Sequence, residues 1–340
     1  MSAERPGLAS DGPGAGHPGA DGRGADDPDV ESPESGRPPI VAVVGATGTG
    51  KSALALDLVE ALAARGRPAE IINADAMQLY RGMDIGTAKL PPDERRGIPH
   101  HLLDVLEPSQ DASVADYQGR ARAAVERLQA VGTVPVLVGG SGLYVNSVIH
   151  DFVFPARDEA VRARLEADLE RLGPTGLHAR LACLDPAAAA KVDAANGRRV
   201  VRALEVVELE GAFTPGLPEH RPPWQTAIVL GLRADRDVLI PRLDGRVRRM
   251  WADGLVDEVA ALRPAGFGTT AARAIGYAQA VAQLDGELDE DAAIEATSAL
   301  TRRYARRQVS WFRRDGSTRW IEHDDPDRVD VALAAVIGEN

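Results

Sequence analysis

The sequence predicts an α/β fold, a parallel sheet flanked by helices and interrupted by an all-helical insertion. Three observations carry that expectation. Apolar, strand-like runs recur at 40–44 (IVAVV), 70–74 (EIINA), 101–105 (HLLDV), 134–139 (VPVLVG) and 226–232 (TAIVLGL). Helical patterns separate most of them, as at 51–64 and 115–130, and buried strands alternating with helices build a parallel sheet covered on both faces. From 156 to about 210 the strands stop, and stretches such as GRRVVRALEVVEL read as amphipathic helices until a strand pattern resumes at 226.

Taken in order, residues 1–36 form a Gly-, Pro-, Ala-, Ser- and Asp-rich segment without an apolar period, which reads as disordered. It lacks the cationic start and apolar core of a signal peptide. Residues 37–155 hold the first part of the sheet and 156–210 the insertion; 211–323 hold the second part, where helices dominate after 235 and TRWIEH offers a short closing strand. Residues 324–340 read as an acidic tail. No run reaches the ~18 apolar residues of a membrane span. The lone Cys183 excludes an internal disulfide or a cysteine-based zinc site, so the cytoplasm is the expected location and no membrane partner is expected. The net charge of −12 sits mainly at the ends: residues 1–36 carry −6 and 321–340 carry −5, leaving −1 for the body. Acidity therefore does not exclude a nucleic-acid partner.

The stretch VAVVGATGTGKSALAL (41–56) matches G-x-x-x-x-G-K-[ST], with Gly45, Gly50, Lys51 and Ser52 at the fixed positions. It follows a strand pattern and opens a helix, the setting a phosphate-binding loop requires, so the core is expected to be P-loop NTPase-like. Backbone N–H groups at such a turn replace water around phosphate oxygens, Lys51 neutralises a terminal phosphate, and the Ser52 hydroxyl helps to hold Mg²⁺. By motif alone the ligand could be ATP. An ATP-hydrolysing machine, however, normally ends a buried strand with an acid that orients the metal. Here VPVLVGGSGLY delivers Gly139, Gly140 and Ser141, two glycines and a small hydroxyl that allow close approach by a substrate. The nearest acid on the phosphate-facing rim is Asp75, after EIINA. These features point to a transferase whose second substrate lies across the strand ends.

With NADAMQLYRGMDIGTAKL (73–90) added, the sequence resembles the bacterial tRNA dimethylallyltransferases, also called tRNA isopentenyltransferases. The resemblance covers about 38–322 and rests on GATGTGKS, DAMQLYRGMDIGTAK, IPHHLLD, GGSGLY, RRVVRALEV, DGLVDEV, AIGYAQ and TRRYARRQVSWFRRD. It implies transfer of the dimethylallyl group from dimethylallyl diphosphate to the exocyclic amine of the adenosine 3′ of the tRNA anticodon, giving N6-isopentenyladenosine and diphosphate. It also implies the tRNA anticodon stem-loop as RNA partner; Mg²⁺ is the expected cofactor from the phosphate loop, and a monomer is the expected state. Matched residue by residue, it implies that Gly45, Thr47, Gly48, Thr49, Gly50, Lys51, Ser52 and Arg273 bind the donor and that Asp75 is the general base. It further implies that Asp75, Ala76, Met77, Gln78, Ser141, Arg162, Arg198, Arg199, Val200, Val201 and Arg202 contact tRNA. Three positions depart from the pattern: Ser141 stands where threonine is usual, Arg198 where glutamine is common, and Ala278 where a polar residue commonly follows the Gly-Tyr pair.

The residue types suit that chemistry. Breaking an allylic carbon–oxygen bond puts charge on diphosphate, where loop amides, Lys51 and Mg²⁺ would meet it. The carbon end gains cationic character and must be kept from water. Adenine's amine is a poor nucleophile, and Asp75 would accept its proton as the new bond forms.

In TSALTRRYARRQVSWFRRD, Leu300, Tyr304 and Trp311 share one helical face, while Arg303, Arg307 and Arg314 repeat on a neighbouring face beside Arg302, Arg306 and Arg313. An apolar back and an arginine front suit RNA phosphates, with Arg303 and Arg307 the expected contacts. Met250 and Trp251 read as core. Adjacent His100 and His101 point to opposite faces of a strand, cannot share a metal, and read as structural. Prenylation of free adenine nucleotides is an alternative, as are an RNA-binding P-loop ATPase and a nonenzymatic RNA-binding module. The insertion and arginine helix weigh against the first, and the missing strand-end acid against the ATPase.

Overall fold

The computed structural model describes residues 36–214 and 222–338; the disorder expected for 1–36 falls outside the described residues, Gly36 excepted. The strands are β1 (Ile40–Gly45), β2 (Ala69–Asn73), β3 (His100–His101), β4 (Val134–Gly139), β5 (Ala227–Arg233) and β6 (Arg319–Glu322). They form one sheet in the order β3-β2-β4-β1-β5-β6 with every pairing parallel. All six residues of β1 are buried. Ile40, Ala42 and Val44 meet α2 (Val114–Ala130) and α3 (Gly142–Ile149) on one face. Val41 and Val43 meet α1 (Lys51–Ala64) and α11 (Arg328–Ile337) on the other. Cover on both faces is why these strands read as unbroken apolar runs.

The stretch 159–210 is helical, with α4 (Glu159–Leu184) broken at Gly173–Pro174, a short α5 (Pro186–Ala189) and α6 (Gly197–Glu210). It has its own core of Leu165, Leu177, Leu181, Val200, Val201 and Leu204. Four helices, α7 (Arg236–Ala252), α8 (Leu255–Leu262), α9 (Tyr277–Leu284) and α10 (Glu290–Phe312), follow β5. Residues of these helices pack with Tyr80 and Met83 from the loop after β2, which holds that loop beside the strand ends.

Three expectations need correction. HLLDV is not a strand: β3 is only His100–His101, because Leu102 (φ 62°) and Asp104 (φ 55°) turn the chain into the left-handed region. The supposed acidic tail carries α11, whose Ala332, Leu333 and Val336 are buried against the α1 face of the sheet. On α10 the buried face is Ala305, Gln308 and Phe312, whereas Leu300 is 37% exposed and Tyr304 and Trp311 are half-buried. Met250 and Trp251 do lie in the core.

Candidate active site

The loop between β1 and α1 opens a cavity of about 310 Å³ at the carboxyl ends of the strands. Gly50, the residue before α1, has φ 94°, a conformation that costs glycine no side-chain clash. The N–H groups of Gly48, Gly50, Lys51, Ser52 and Ala53 have no acceptor among the described residues and converge at the N-terminus of a fourteen-residue helix, an anion cradle. Thr49 is used internally, its hydroxyl donating to the Ala46 carbonyl (2.9 Å). Thr47 is used as well: its N–H donates to Gln308 Oε1 (2.8 Å) and its hydroxyl accepts from Arg246 Nη1 (3.1 Å). Gly45 lies against the Leu232 carbonyl, where a Cβ would sit 2.3 Å away. Lys51 Nζ rests on the Ala46 carbonyl (2.7 Å), and loss of solvation lowers its pKa to about 8, Asp75 opposing that shift and Arg246 adding to it.

Asp75, at the end of β2, lines the same cavity. Asn73 sets its backbone, accepting the Asp75 N–H (3.0 Å) and donating Nδ2 to the Leu102 carbonyl (3.0 Å), while Asp75 Oδ1 accepts the Met77 N–H (2.9 Å). The second carboxylate oxygen has no partner among the described residues. Gln78, Gly139 and Gly140 line the cavity too. The close approach the glycines permit is by the protein itself: a Cβ on Gly140 would lie 2.1 Å from Gln308 Nε2, and one on Gly139 2.3 Å from the Ala74 carbonyl. One part of the wall is apolar, made by Ile71, Leu90, Leu103 and Val138, and His100, Asn73 and Thr87 line the cavity as well. His100 donates Nδ1–H to the Ile98 carbonyl (2.8 Å), and burial lowers its pKa; His101 faces away and pairs with Glu70 (2.6 Å).

Two residues of this cavity were not found in the sequence. Arg246 reaches it from α7 and Gln308 from α10. Each lies on the buried stripe of its helix, Arg246 in register with Leu239, Leu243 and Met250, and Gln308 with Ala305 and Phe312. A charged or amide residue on an apolar stripe is the signal that could have found them. Arg273 is not in this cavity. It is exposed and lines a separate surface depression with Asn196, Gly197 and Arg198, so the arginine beside the phosphate loop is Arg246.

The profile of the IPP transferase family matches residues 78–315. The chain belongs to that family. Among similar proteins is a tRNA dimethylallyltransferase of Clavibacter sepedonicus, 59% identical over 300 residues that cover 88% of this chain and 98% of the relative. Another, from Thermobifida fusca (strain YX), is 57% identical over 300 residues, 87% of this chain and 94% of the relative. The solved full-length tRNA isopentenylpyrophosphate transferase of Bacillus halodurans is 38% identical with a TM-score of 0.65, over 88% of this chain and 96% of that one. A eukaryotic dimethylallyltransferase solved acting on tRNA is 25% identical with a TM-score of 0.69, over 87% of this chain and 77% of that one. The fold is the P-loop NTPase-like α/β fold of these IPP transferases.

In this IPP transferase the residues expected to meet RNA fall into three groups. The first borders the cavity: Ser141 Oγ accepts the Ala76 N–H (3.4 Å) and meets the Tyr304 hydroxyl (3.4 Å), whose pKa burial pushes up to about 12. Met77 packs into the cluster beneath. Arg307 lies over the Tyr304 ring, 5.6 Å from its centroid, and it and Arg303 are exposed; Arg302 is tied to Asp244 and Glu295 instead. The second group joins the insertion to the core. Fully buried Glu205 holds Arg162 and Arg202, and Arg202 also donates to the Pro155 and Ala156 carbonyls (2.8 Å each). The third is Arg198 and Arg199, exposed at the start of α6. Val200 and Val201 point into the insertion's core, which excludes their side chains from RNA. No described helix is long and apolar enough to cross a membrane.

Proposed function

We propose that this chain transfers the dimethylallyl group of dimethylallyl diphosphate to the exocyclic amine of the adenosine 3′ of the anticodon in tRNA, releasing diphosphate and N6-isopentenyladenosine. The observation that carries this reading is one cavity holding three things: an open phosphate loop, the carboxylate of Asp75, and an apolar wall of Ile71, Leu90, Leu103 and Val138. The loop N–H groups, Lys51 and Arg246 receive the diphosphate as the allylic C–O bond breaks and its electron pair moves onto oxygen. The apolar wall keeps water from the cationic five-carbon fragment. As the amine nitrogen bonds to that carbon, the unpartnered oxygen of Asp75 takes the proton.

Mg²⁺ fits the donor end. Ser52 lines the cavity, its hydroxyl has no hydrogen-bond partner among the described residues, and a hard oxygen ligand suits that ion. Among the described residues no cluster of three His, Cys, Asp or Glu could hold a metal, so most ligands would be diphosphate oxygens and water. The ion would supply charge neutralisation of the leaving group. The tRNA enters past Ser141, Tyr304 and Arg307, where its anticodon stem-loop meets the exposed arginines.

The test is acceptor competition. Protein incubated with radiolabelled dimethylallyl diphosphate and tRNA from a strain lacking the modification, or with AMP or ATP, should label tRNA alone. Label in AMP or ATP with none in tRNA would make the chain a free-nucleotide prenyltransferase.

A further inference from the structure

Two sequence motifs that the transfer reaction leaves unused, DGLVDEV and AIGYAQ, meet at the end of a third, DAMQLYRGMDIGTAK. Glu258, from DGLVDEV on α8, accepts the backbone N–H groups of three successive residues of the MDIGTAK loop: Asp84 (3.0 Å), Ile85 (2.7 Å) and Gly86 (3.4 Å). Tyr277, from AIGYAQ at the start of α9, donates its hydroxyl to the same carboxylate, and burial followed by the Glu258 charge holds that phenol protonated. Its ring packs on the loop so closely that a Cβ on Gly86 would lie 2.3 Å from Cε2. From the other side Lys89, its side chain 2% exposed, holds Asp84 and Asp104 at 2.6 Å each and the Tyr80 carbonyl at 2.7 Å. The loop is therefore bolted at both ends, and charge-assisted bonds to a carboxylate are the stronger kind.

What the loop carries is part of the active cavity. Thr87 and Ala88 belong to its wall. The Thr87 carbonyl accepts Gln78 Nε2 (3.2 Å) and Arg246 Nη2 (3.4 Å), while Arg246 Nη1 goes to Thr47 in the phosphate loop. Among the described residues, the Thr87 carbonyl and the Thr47 hydroxyl are the two acceptors of the Arg246 guanidinium, and between them they fix the plane of the fork.

We propose that Glu258 is a positioning residue for the donor: it sets the loop 84–88, and through the Thr87 carbonyl it aims Arg246 at the diphosphate. The inference rests on the reading of this cavity as the donor site. It explains why a carboxylate about 170 residues from the loop is spent on three backbone N–H groups. It also gives Tyr277 a role that no direct contact with a substrate supplies.

The experiment measures calorimetric affinity for inorganic diphosphate, donor KM, kcat and tRNA affinity in E258A, E258Q, Y277F, R246A and the double variant E258A/R246A. E258A should weaken diphosphate binding and raise donor KM by roughly tenfold, with kcat and tRNA affinity within a few-fold of wild type. E258Q, which keeps the shape and one acceptor oxygen, should fall between, and Y277F should cost about two- to threefold. In the R246A background E258A should add less than about twofold, because its effect travels through the arginine. A purely structural Glu258 would lower the thermal midpoint and leave the diphosphate affinity of the folded protein unchanged. That outcome, or effects of E258A and R246A that multiply, overturns the inference while leaving the donor assignment standing on Lys51 and Arg246. Wild-type protein that does not bind diphosphate removes the assignment itself, and the inference with it.

Discussion

The pKa of Lys51, lowered to about 8, makes donor binding a proton-uptake reaction around pH 8. The ammonium is desolvated on the cavity floor and, among the described residues, reaches the Ala46 carbonyl and, at longer range, the charge of Asp75. Half of the free protein therefore carries a neutral Lys51 at pH 8, but only about 3% at pH 6.5. A diphosphate placed against the loop amides favours the charged form and raises that pKa. The sign follows: binding takes up close to no proton at pH 6.5 and up to about half a proton at pH 8. The contribution of Lys51 to affinity is flat well below pH 8 and falls by up to about tenfold per unit above it, each factor of ten being about 1.4 kcal/mol. The assay is titration calorimetry with inorganic diphosphate in buffers of different ionisation enthalpy at both pH values. K51M serves as reference, since subtracting its signal removes the titration of the ligand itself. Equal proton uptake by wild type and K51M at pH 8 would refute the placement of Lys51 against the diphosphate.

Asp75→Asn keeps the shape and the contact to the Met77 N–H but cannot take a proton, so the single-turnover rate should fall by about 10²- to 10⁴-fold with tRNA and diphosphate affinities within a few-fold. A large loss of tRNA affinity with a modest rate change would instead make it a recognition residue. Replacing Arg303 and Arg307 by alanine should weaken tRNA binding across sequences and flatten the slope of log K against log salt by about 0.7–0.9 per lost phosphate contact; an unchanged slope returns this face of α10 to solvent. Gly140→Ala should drive Gln308 off both the Gly140 carbonyl and the Thr47 N–H, raising donor KM by about tenfold with tRNA affinity unchanged, as steady-state kinetics and filter binding would show.

How much of this was legible depends on how far along the chain each cause lies. The phosphate loop could be read because strand, turn and helix are contiguous and every requirement is local. Asp75 could be read because it ends an apolar run. The length of β3 could not: HLLDV has strand-like composition, yet Asn73 takes the Leu102 carbonyl and Leu79 takes the Val105 N–H, tertiary bonds that bend the chain after two residues. The inward face of α10 is not legible from side-chain size, because the helix crosses the strand ends, where Gly140 and Gly142 leave room for Gln308 and for half-buried Trp311.

The family resemblance placed an arginine at the diphosphate but fixed on Arg273, which belongs to the insertion side of the molecule. Arg246 and Gln308 complete the phosphate loop from 199 and 261 residues away from Thr47, and no local pattern states such a distance. They have a physical mark nonetheless. Burying a guanidinium or an amide on an apolar stripe costs free energy unless something polar waits opposite. On α7 and α10 that something is the loop whose amides await an anion. Gln308 spends its amide oxygen on the Thr47 N–H and an amide N–H on the Gly140 carbonyl, and it also meets the Tyr304 hydroxyl, so its bonds within the protein fix the loop. Arg246 lies beside Lys51, and among the described residues Asp75 is the carboxylate that offsets the two charges, an arrangement that is costly by itself and that a bound anion would relieve. The same polar-on-apolar pattern therefore separates into two roles by what remains unsatisfied: the amide is a strut, and the guanidinium is part of the binding site.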